Sequence, residues 1–347
     1  MINAIDFGCY AIRSAYRREH AEAPITMYSE QSEYVVLPNI ERYRQLLDAH
    51  ELPRAECEES LVVFGNQAKR VRWLSRMPPA CIFNGGNVPA DDPPARQMLD
   101  VLCAAILPSA GSGINLCAFT IPGSERREAS REFLSRLIRM RGYEPFSLNA
   151  AEAVMLAEGH ETSFSGIAIV VGAETTEICI CRLGVTLAST AIPVGADWID
   201  MELARQFSIQ VYDEAGNSWL DLEAVREWKH NPERSLRSVL GDRESGLARL
   251  YEAVLDQIAQ STHQLLNHPS VRSHLAGERM HVICSGGPTQ INGFASSLTE
   301  RFVDQDIAAR IQTVRTVDTP DQTVIRGALI AAELEVRGRR DRRREAA

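Results

Sequence analysis

The sequence predicts an α/β protein built from two similar halves, and three observations carry that expectation. Two strand, turn, strand units with small residues at the turn, near residues 8 and 172, stand about 165 residues apart, the mark of an internal duplication. A strand ending at Gly286-Gly287 and running into a helix supplies a third turn. The 347 residues, 45 % apolar and 24 % charged, suffice for about two domains with cores of their own.

In chain order, residues 2–16 alternate apolar and small side chains around Gly8-Cys9, a hairpin with Asp6 just before its turn. Strand-like runs follow at 34–38 and 61–65, with loop-rich sequence between them, and a basic helical stretch covers 66–77. Five prolines and Gly85-Gly86 make 77–94 an extended connection. Met98, Leu99, Leu102 and Ile106 share one helical face over 95–106. A strand at 114–121 stops at Pro122-Gly123, and a helix follows from Ser124 to a stop at Gly142. A helix at 150–158 precedes strands at 167–171 and 177–181, joined by Gly172-Ala173-Glu174-Thr175-Thr176. Residues 221–266 read as helical and polar. A strand at 280–284, a helix near Phe294 and a closing helix at 326–332 complete the chain.

A formal net charge of -9 argues against whole-surface attraction to nucleic acid or anionic lipid. No run nears the roughly 18 apolar residues that span a bilayer, and no leader precedes the first strand, so the cytoplasm is the simplest address. The eight cysteines read as buried thiols; Cys179 and Cys181 share a strand face but lack a second pair or a histidine cluster for a metal. The scattered histidines have the wrong spacing for a helical zinc site, and Trp73, Trp198, Trp219 and Trp228 read as packing. The arginine-rich tail over 336–347 reads as a solvated, frayed helix end rather than a contact for nucleic acid or lipid.

Turns of small residues expose backbone N–H groups that can approach an anion closely. Two such turns facing each other make a phosphate clamp. A carboxylate at the end of the preceding strand can hold magnesium through water.

The series Ile5-Asp6-Phe7-Gly8, Val170 to Glu177, Pro193-Val194-Gly195-Ala196-Asp197, Ser285-Gly286-Gly287-Pro288 and Arg326-Gly327-Ala328 resembles the motifs of the actin, sugar kinase and heat-shock ATPase superfamily, with MreB-type bacterial actins most similar. The resemblance covers nearly the whole chain. It implies an actin-like, ribonuclease H-like duplicated, two-lobed ATPase fold with the nucleotide cleft between the lobes. Residues 1–160 would form one lobe, with an insertion at about 31–95. Residues 161–335 would form the other, with an insertion at about 211–275 and a closing helix returning to the first lobe. By the same resemblance Asp6, Gly8, Cys9, Tyr10, Gly172, Thr175, Thr176, Gly195, Lys229, Gly286 and Gly287 would bind the nucleotide, and Asp6 would hold magnesium through water.

The departures from the family pattern fall on the chemistry. Val170 stands at the second magnesium-site aspartate, Ala173 and Glu174 where glycines belong, Ala150 at the acid that polarises water, and Arg226 at the ribose-contacting glutamate. Glu174 and Glu152 are the remaining candidate acids; Glu152 lies two positions from the expected one, on another side of its helix. The implied function is an ATP-binding, magnesium-dependent cytoskeletal or scaffold protein with weak or lost hydrolysis, self-associating into filaments or dimers. The alternatives are an active ATPase or small-molecule kinase of the same fold, and a nucleotide-free scaffold in which Glu174 and Arg226 pair across the cleft.

Overall fold

The structure, a computed structural model, describes residues 1–17, 24–57, 59–75, 79–89, 91–111, 113–123, 128–212, 216–275 and 277–345. The expected helix start at 124–127 lies outside the described residues.

The first hairpin forms as expected, β1 (Ile2–Phe7) with β2 (Ala11–Arg17), and β3 (Thr26–Gln31) adds to its far side. The chain then builds β4 (Glu33–Pro38), α1 (Glu41–Ala49), β5 (Ala55–Cys57), β6 (Ser60–Phe64), α2 (Asn66–Val71) and β7 (Ala80–Cys81). These four strands make a separate small sheet in the order β5-β6-β4-β7. The segment expected to be loop-rich thus holds a helix and a strand; α1 is hard to read because Leu47 is its one buried residue.

Next come α3 (Pro93–Ile106), β8 (Leu116–Thr120), α4 (Glu128–Met140), β9 (Glu144–Leu148) and α5 (Ala150–Glu158). Asp92 caps α3 by accepting the N–H of Ala95 at 2.9 Å, and the four apolar residues expected on one face are buried. A reciprocal capping box starts α5: Asn149 accepts from Glu152 N, and Glu152 accepts from Asn149 N.

The second half runs β10 (Gly166–Val171), β11 (Thr176–Arg182), β12 (Val185–Ile192), α6 (Ala196–Gln206), β13 (Gln210–Tyr212), β14 (Ser218–Leu220), α7 (Leu222–Lys229) and α8 (Asp242–Leu266). It ends with α9 (Pro269–Leu275), β15 (Met280–Ser285), α10 (Phe294–Asp304), β16 (Ile311–Thr316) and α11 (Pro320–Glu345). The helical stretch expected over 221–266 is broken between α7 and α8. Because α8 packs into the core beneath β11 and β12, the part of the expected 211–275 insertion from Asp242 onward joins the main body of the second half. The closing helix extends well beyond 326–332: α11 carries the arginine-rich stretch to Glu345, and Arg339 pairs with Glu144 and Glu335.

The duplication appears strand by strand. One five-stranded sheet has the order β3-β2-β1-β8-β9 and the other β12-β11-β10-β15-β16. In each, two antiparallel pairings are followed by two parallel ones. Helices α5 and α11 lie between the sheets, in a core rich in alanine: Ala4 and Ala118 from one sheet, Ala168 from the other, Ala151, Ala153, Ala328 and Ala332 from the helices. Small side chains let the two helices approach closely, and at Gly327 an added Cβ would lie 1.8 Å from the Ala153 carbonyl oxygen.

Candidate functional site

A cavity of about 440 Å³ opens between the two sheets, within the usual range of ligand sites. The first hairpin contributes Asp6, Gly8, Cys9 and Tyr10 to its wall. The turn between β10 and β11 contributes Gly172, Glu174 and Thr175, the Gly286-Gly287 turn abuts it from the neighbouring strand, and Lys229 adds to the lining. Ten of the expected residues therefore meet at one place. Thr176, Gly195 and Glu152 do not line it. Thr176 donates to the Val194 carbonyl at 2.8 Å, and Gly195 abuts the carbonyls of Gly172 and Ala173, so both shape the turn from behind. The carboxylate of Glu152 is engaged in the α5 capping box.

The turn geometry follows from local bonding. Gly172 N donates to Thr175 O at 2.9 Å, and the first residues of α6 brace the turn, Ala196 N to Gly172 O at 2.9 Å and Asp197 N to Ala173 O at 2.8 Å. Gly286 has φ of 105° and faces the Val171 carbonyl so closely that a Cβ would lie 2.0 Å from its oxygen. That position admits only glycine on both counts.

Asp6 is buried at the end of β1. It accepts a hydrogen bond from the Thr120 hydroxyl at 2.6 Å and lies 3.5 Å from the Arg13 guanidinium. Burial raises its pKa above the ordinary carboxylate value, against the opposing pull of Arg13 and Thr120. A raised pKa in the folded state means that the stability Asp6 contributes is present below the unfolded value and lost as pH rises through the folded one. Asp6→Asn is accordingly expected to melt higher than the parent at pH 7, with the difference closing toward pH 4 in thermal scans across pH.

A charged network that was not expected from the sequence closes the other side. Lys229 on α7 donates to Asp200 on α6, both buried, and Arg226 bonds Asp197 at 2.9 Å and Asp200 at 3.3 Å. Arg226 thus pairs within its own half rather than with Glu174, whose carboxylate accepts the N–H of Gly86 instead. The readable signal was the matched spacing of Asp197-x-x-Asp200 and Arg226-x-x-Lys229, one helix turn each. Lys69 on α2 pairs with Glu223 on α7 at 3.0 Å, and both Lys69 and Arg226 approach the Tyr10 ring, at 6.0 and 5.8 Å from its centroid.

Glu177, also absent from the expected site residues, is 5 % exposed and lines the cavity. It reaches from β11 to the turn after β8 and the start of α5, accepting from Gly123 N at 3.0 Å and Ala150 N at 2.8 Å. The oxygens of Asp6 and Glu177 are the donor type that magnesium takes. Among the described residues no group of three or more His, Cys, Asp or Glu could hold a metal by itself. Two carboxylates on the cavity wall suit magnesium only where a ligand's own oxygens and water complete its shell.

Cys179 and Cys181 are buried with sulfurs 3.5 Å apart on one strand face, and among the described cysteine side chains Cys81 alone is exposed. The Trp228 ring carries Arg234 and Arg243 at 4.3 and 4.2 Å from its centroid.

A family model described as Volactin matches residues 1–332. The chain belongs to the Volactin family. A search of the curated proteins gave no match. Among solved structures, the MamK double helical filament is similar over 95 % of this chain and 98 % of its own, at 16 % identity and a TM-score of 0.68. MreB5 of Spiroplasma citri bound to AMPPNP is similar over 98 % of both chains, at 15 % identity and a TM-score of 0.69. The ethanolamine utilization protein EutJ from Carboxydothermus hydrogenoformans is similar over 95 % of this chain and 89 % of its own, at 16 % identity and a TM-score of 0.55. At such identities the likeness is one of fold, and the fold of this Volactin-family chain is the two-lobed actin-like one.

Proposed function

We propose that the chain is a cytoskeletal actin-fold protein. In this reading it binds ATP with magnesium in the inter-sheet cavity, and lobe closure governs its self-association into filaments, with hydrolysis weak or lost. The observation that carries the reading is the convergence of Asp6, the Gly172 to Thr175 turn and Gly286-Gly287 on one cavity. The solved structures named above, one a filament and one bound to AMPPNP, support it by likeness of fold. In this reading residues 1–160 and 161–335 are the two lobes, and the protein works in the cytoplasm; no described helix is long and apolar enough to cross a membrane.

The chain's own groups have assignable roles. The two glycine turns would receive the phosphates, Asp6 would hold water around the metal, and Lys229 lines the wall beside Asp200. Magnesium, when bound with the nucleotide, neutralises phosphate charge. Val170 and Ala150 at the two lost acid positions account for slow hydrolysis. Sedimentation, electron microscopy and phosphate release test the reading together. Filaments that pellet with ATP and magnesium, with phosphate release that rises in Val170→Asp, are expected. Absence of assembly under every nucleotide contradicts the filament half, and fast release by the parent chain contradicts the weak-hydrolysis half.

A further inference from the structure

We infer that Glu174 makes the cavity select a nucleoside diphosphate over the triphosphate, its carboxylate standing where the glycine turns would receive a third phosphate. The inference rests on the proposed nucleotide reading and names the ligand class that the cavity favours; ATP remains a ligand, the weaker one.

The carboxylate is held from both halves of the chain. In the second half, the N–H groups of Ala196 and Asp197 bond the carbonyls of Gly172 and Ala173 at 2.9 and 2.8 Å, which sets the backbone on which Glu174 stands. Ala173, beside it, packs against the core of the first half, where Ile82 and Phe83 are buried. In the first half, Asn84 and Asn87 exchange backbone hydrogen bonds at 3.0 Å around Gly85 and Gly86, whose φ angles are 54° and 71°. Two consecutive residues at positive φ make a tight two-residue turn. Gly86 is buried, so its N–H needs a partner. Glu174 supplies it, accepting that N–H across the gap between the halves.

The cavity has an apolar end and a charged one. Pro288 and Ile291 follow the Gly286-Gly287 turn into the lining, a surface suited to a base. Glu174 belongs to the other turn, with Asp6 and Gly8, the groups to which the proposed reading gives the phosphates. A phosphate chain running from the apolar end toward Gly86 therefore meets the carboxylate with its last member, and like charges repel strongly at short range. The wall offers little to offset that repulsion. Its lining holds six Asp or Glu against four Arg or Lys. Each of those cations already has a carboxylate partner: Arg13 has Asp6, Arg226 and Lys229 have Asp200, and Arg234 has Glu244. A third phosphate would also have to share or displace the Gly86 bond that joins the halves, whereas a diphosphate stops short of both.

The test is calorimetric titration of the full chain with ADP and with ATP, in magnesium and in excess EDTA, with a thermal melt of each variant. In EDTA the parent is expected to bind ADP about tenfold more tightly than ATP, the scale of one added charge meeting a solvent-screened carboxylate. Magnesium narrows the gap by neutralising phosphate charge. Glu174→Gln keeps an acceptor for the Gly86 N–H and removes the charge. It is expected to gain about tenfold in ATP affinity with ADP affinity unchanged, a gain that a purely structural bond does not predict. A parent that binds both equally in EDTA, or a folded Glu174→Gln that keeps the preference for ADP, overturns the inference. So does a Glu174→Gln that loses ATP affinity in magnesium alone, since Glu174 would then be a metal ligand. If Glu174→Gln does not fold, Glu174→Gly decides: loss of the ADP preference supports the inference and its retention overturns it. Binding without discrimination overturns the inference alone, whereas no binding of either nucleotide by parent or variant overturns the nucleotide reading and the inference with it.

Discussion

Gly327→Ala is expected to destabilise the chain by about 3 kcal/mol, the upper part of the overpacking range, and to lower its melting temperature by several degrees. The added methyl would sit 1.8 Å from the Ala153 carbonyl oxygen, where two helices are pressed together between two sheets. Backbone cannot rotate away as a side chain does, so α11 has to move off α5 and open contacts along the layer. Gly338 lies on the same helix but meets only the far end of Arg342, at 3.6 Å. Gly338→Ala is expected to be neutral or to stabilise by up to about 1 kcal/mol, since alanine is the better helix residue. Paired thermal or denaturant unfolding of the two variants checks this. Equal effects at both positions would show that the α5–α11 contact is not what limits stability.

Lys229→Met is expected to be as damaging at neutral pH, about 3 kcal/mol, the low end for breaking a buried pair. Asp200 is 1 % exposed and would keep Arg226 as its partner while losing the ammonium group. Burial already raises the Asp200 pKa, with Lys229 and Arg226 opposing. A carboxylate raised in this way contributes stability below its unfolded value and loses it as pH rises through the folded one, and removing Lys229 steepens that loss. The deficit of Lys229→Met is therefore expected to shrink in acid, and adding Asp200→Asn to recover much of it at pH 7. Unfolding curves at pH 5 and pH 7.5 check both statements; a deficit independent of pH would contradict the charge argument.

The parts legible in the sequence were those whose signal is local. The hairpin around Gly8, the buried strand over 167–171 and the helix at 150–158 each announce themselves through apolar runs, small turn residues and caps within a few positions. The less legible elements sit at edges. β3 buries none of its residues fully, β16 buries one, and α1 shows the core a single leucine. Their formation depends on neighbours supplied from elsewhere in the chain. The site divides in the same way. Asp6 and the glycine turns are read from short motifs, because only small residues and a strand-end acid make such a turn. Glu177 gains its meaning from strand register and from N–H groups 27 and 54 positions away. Asp200 gains its meaning from a helix 29 positions on. No local pattern announces a carboxylate that reaches the start of α5, although Glu177 follows directly on the Thr175-Thr176 turn.

Binding of ATP with magnesium in the inter-sheet cavity is the central claim, and an equilibrium titration of the parent chain beside Gly286→Val tests it most directly. The valine would drive a side chain into the Val171 carbonyl at a backbone angle that side chains rarely adopt, deforming the turn opposite Asp6. Saturable binding by the parent, lost in a variant that still folds, is the predicted result. Silence from the parent at high protein concentration, or equal binding by both, would contradict the account.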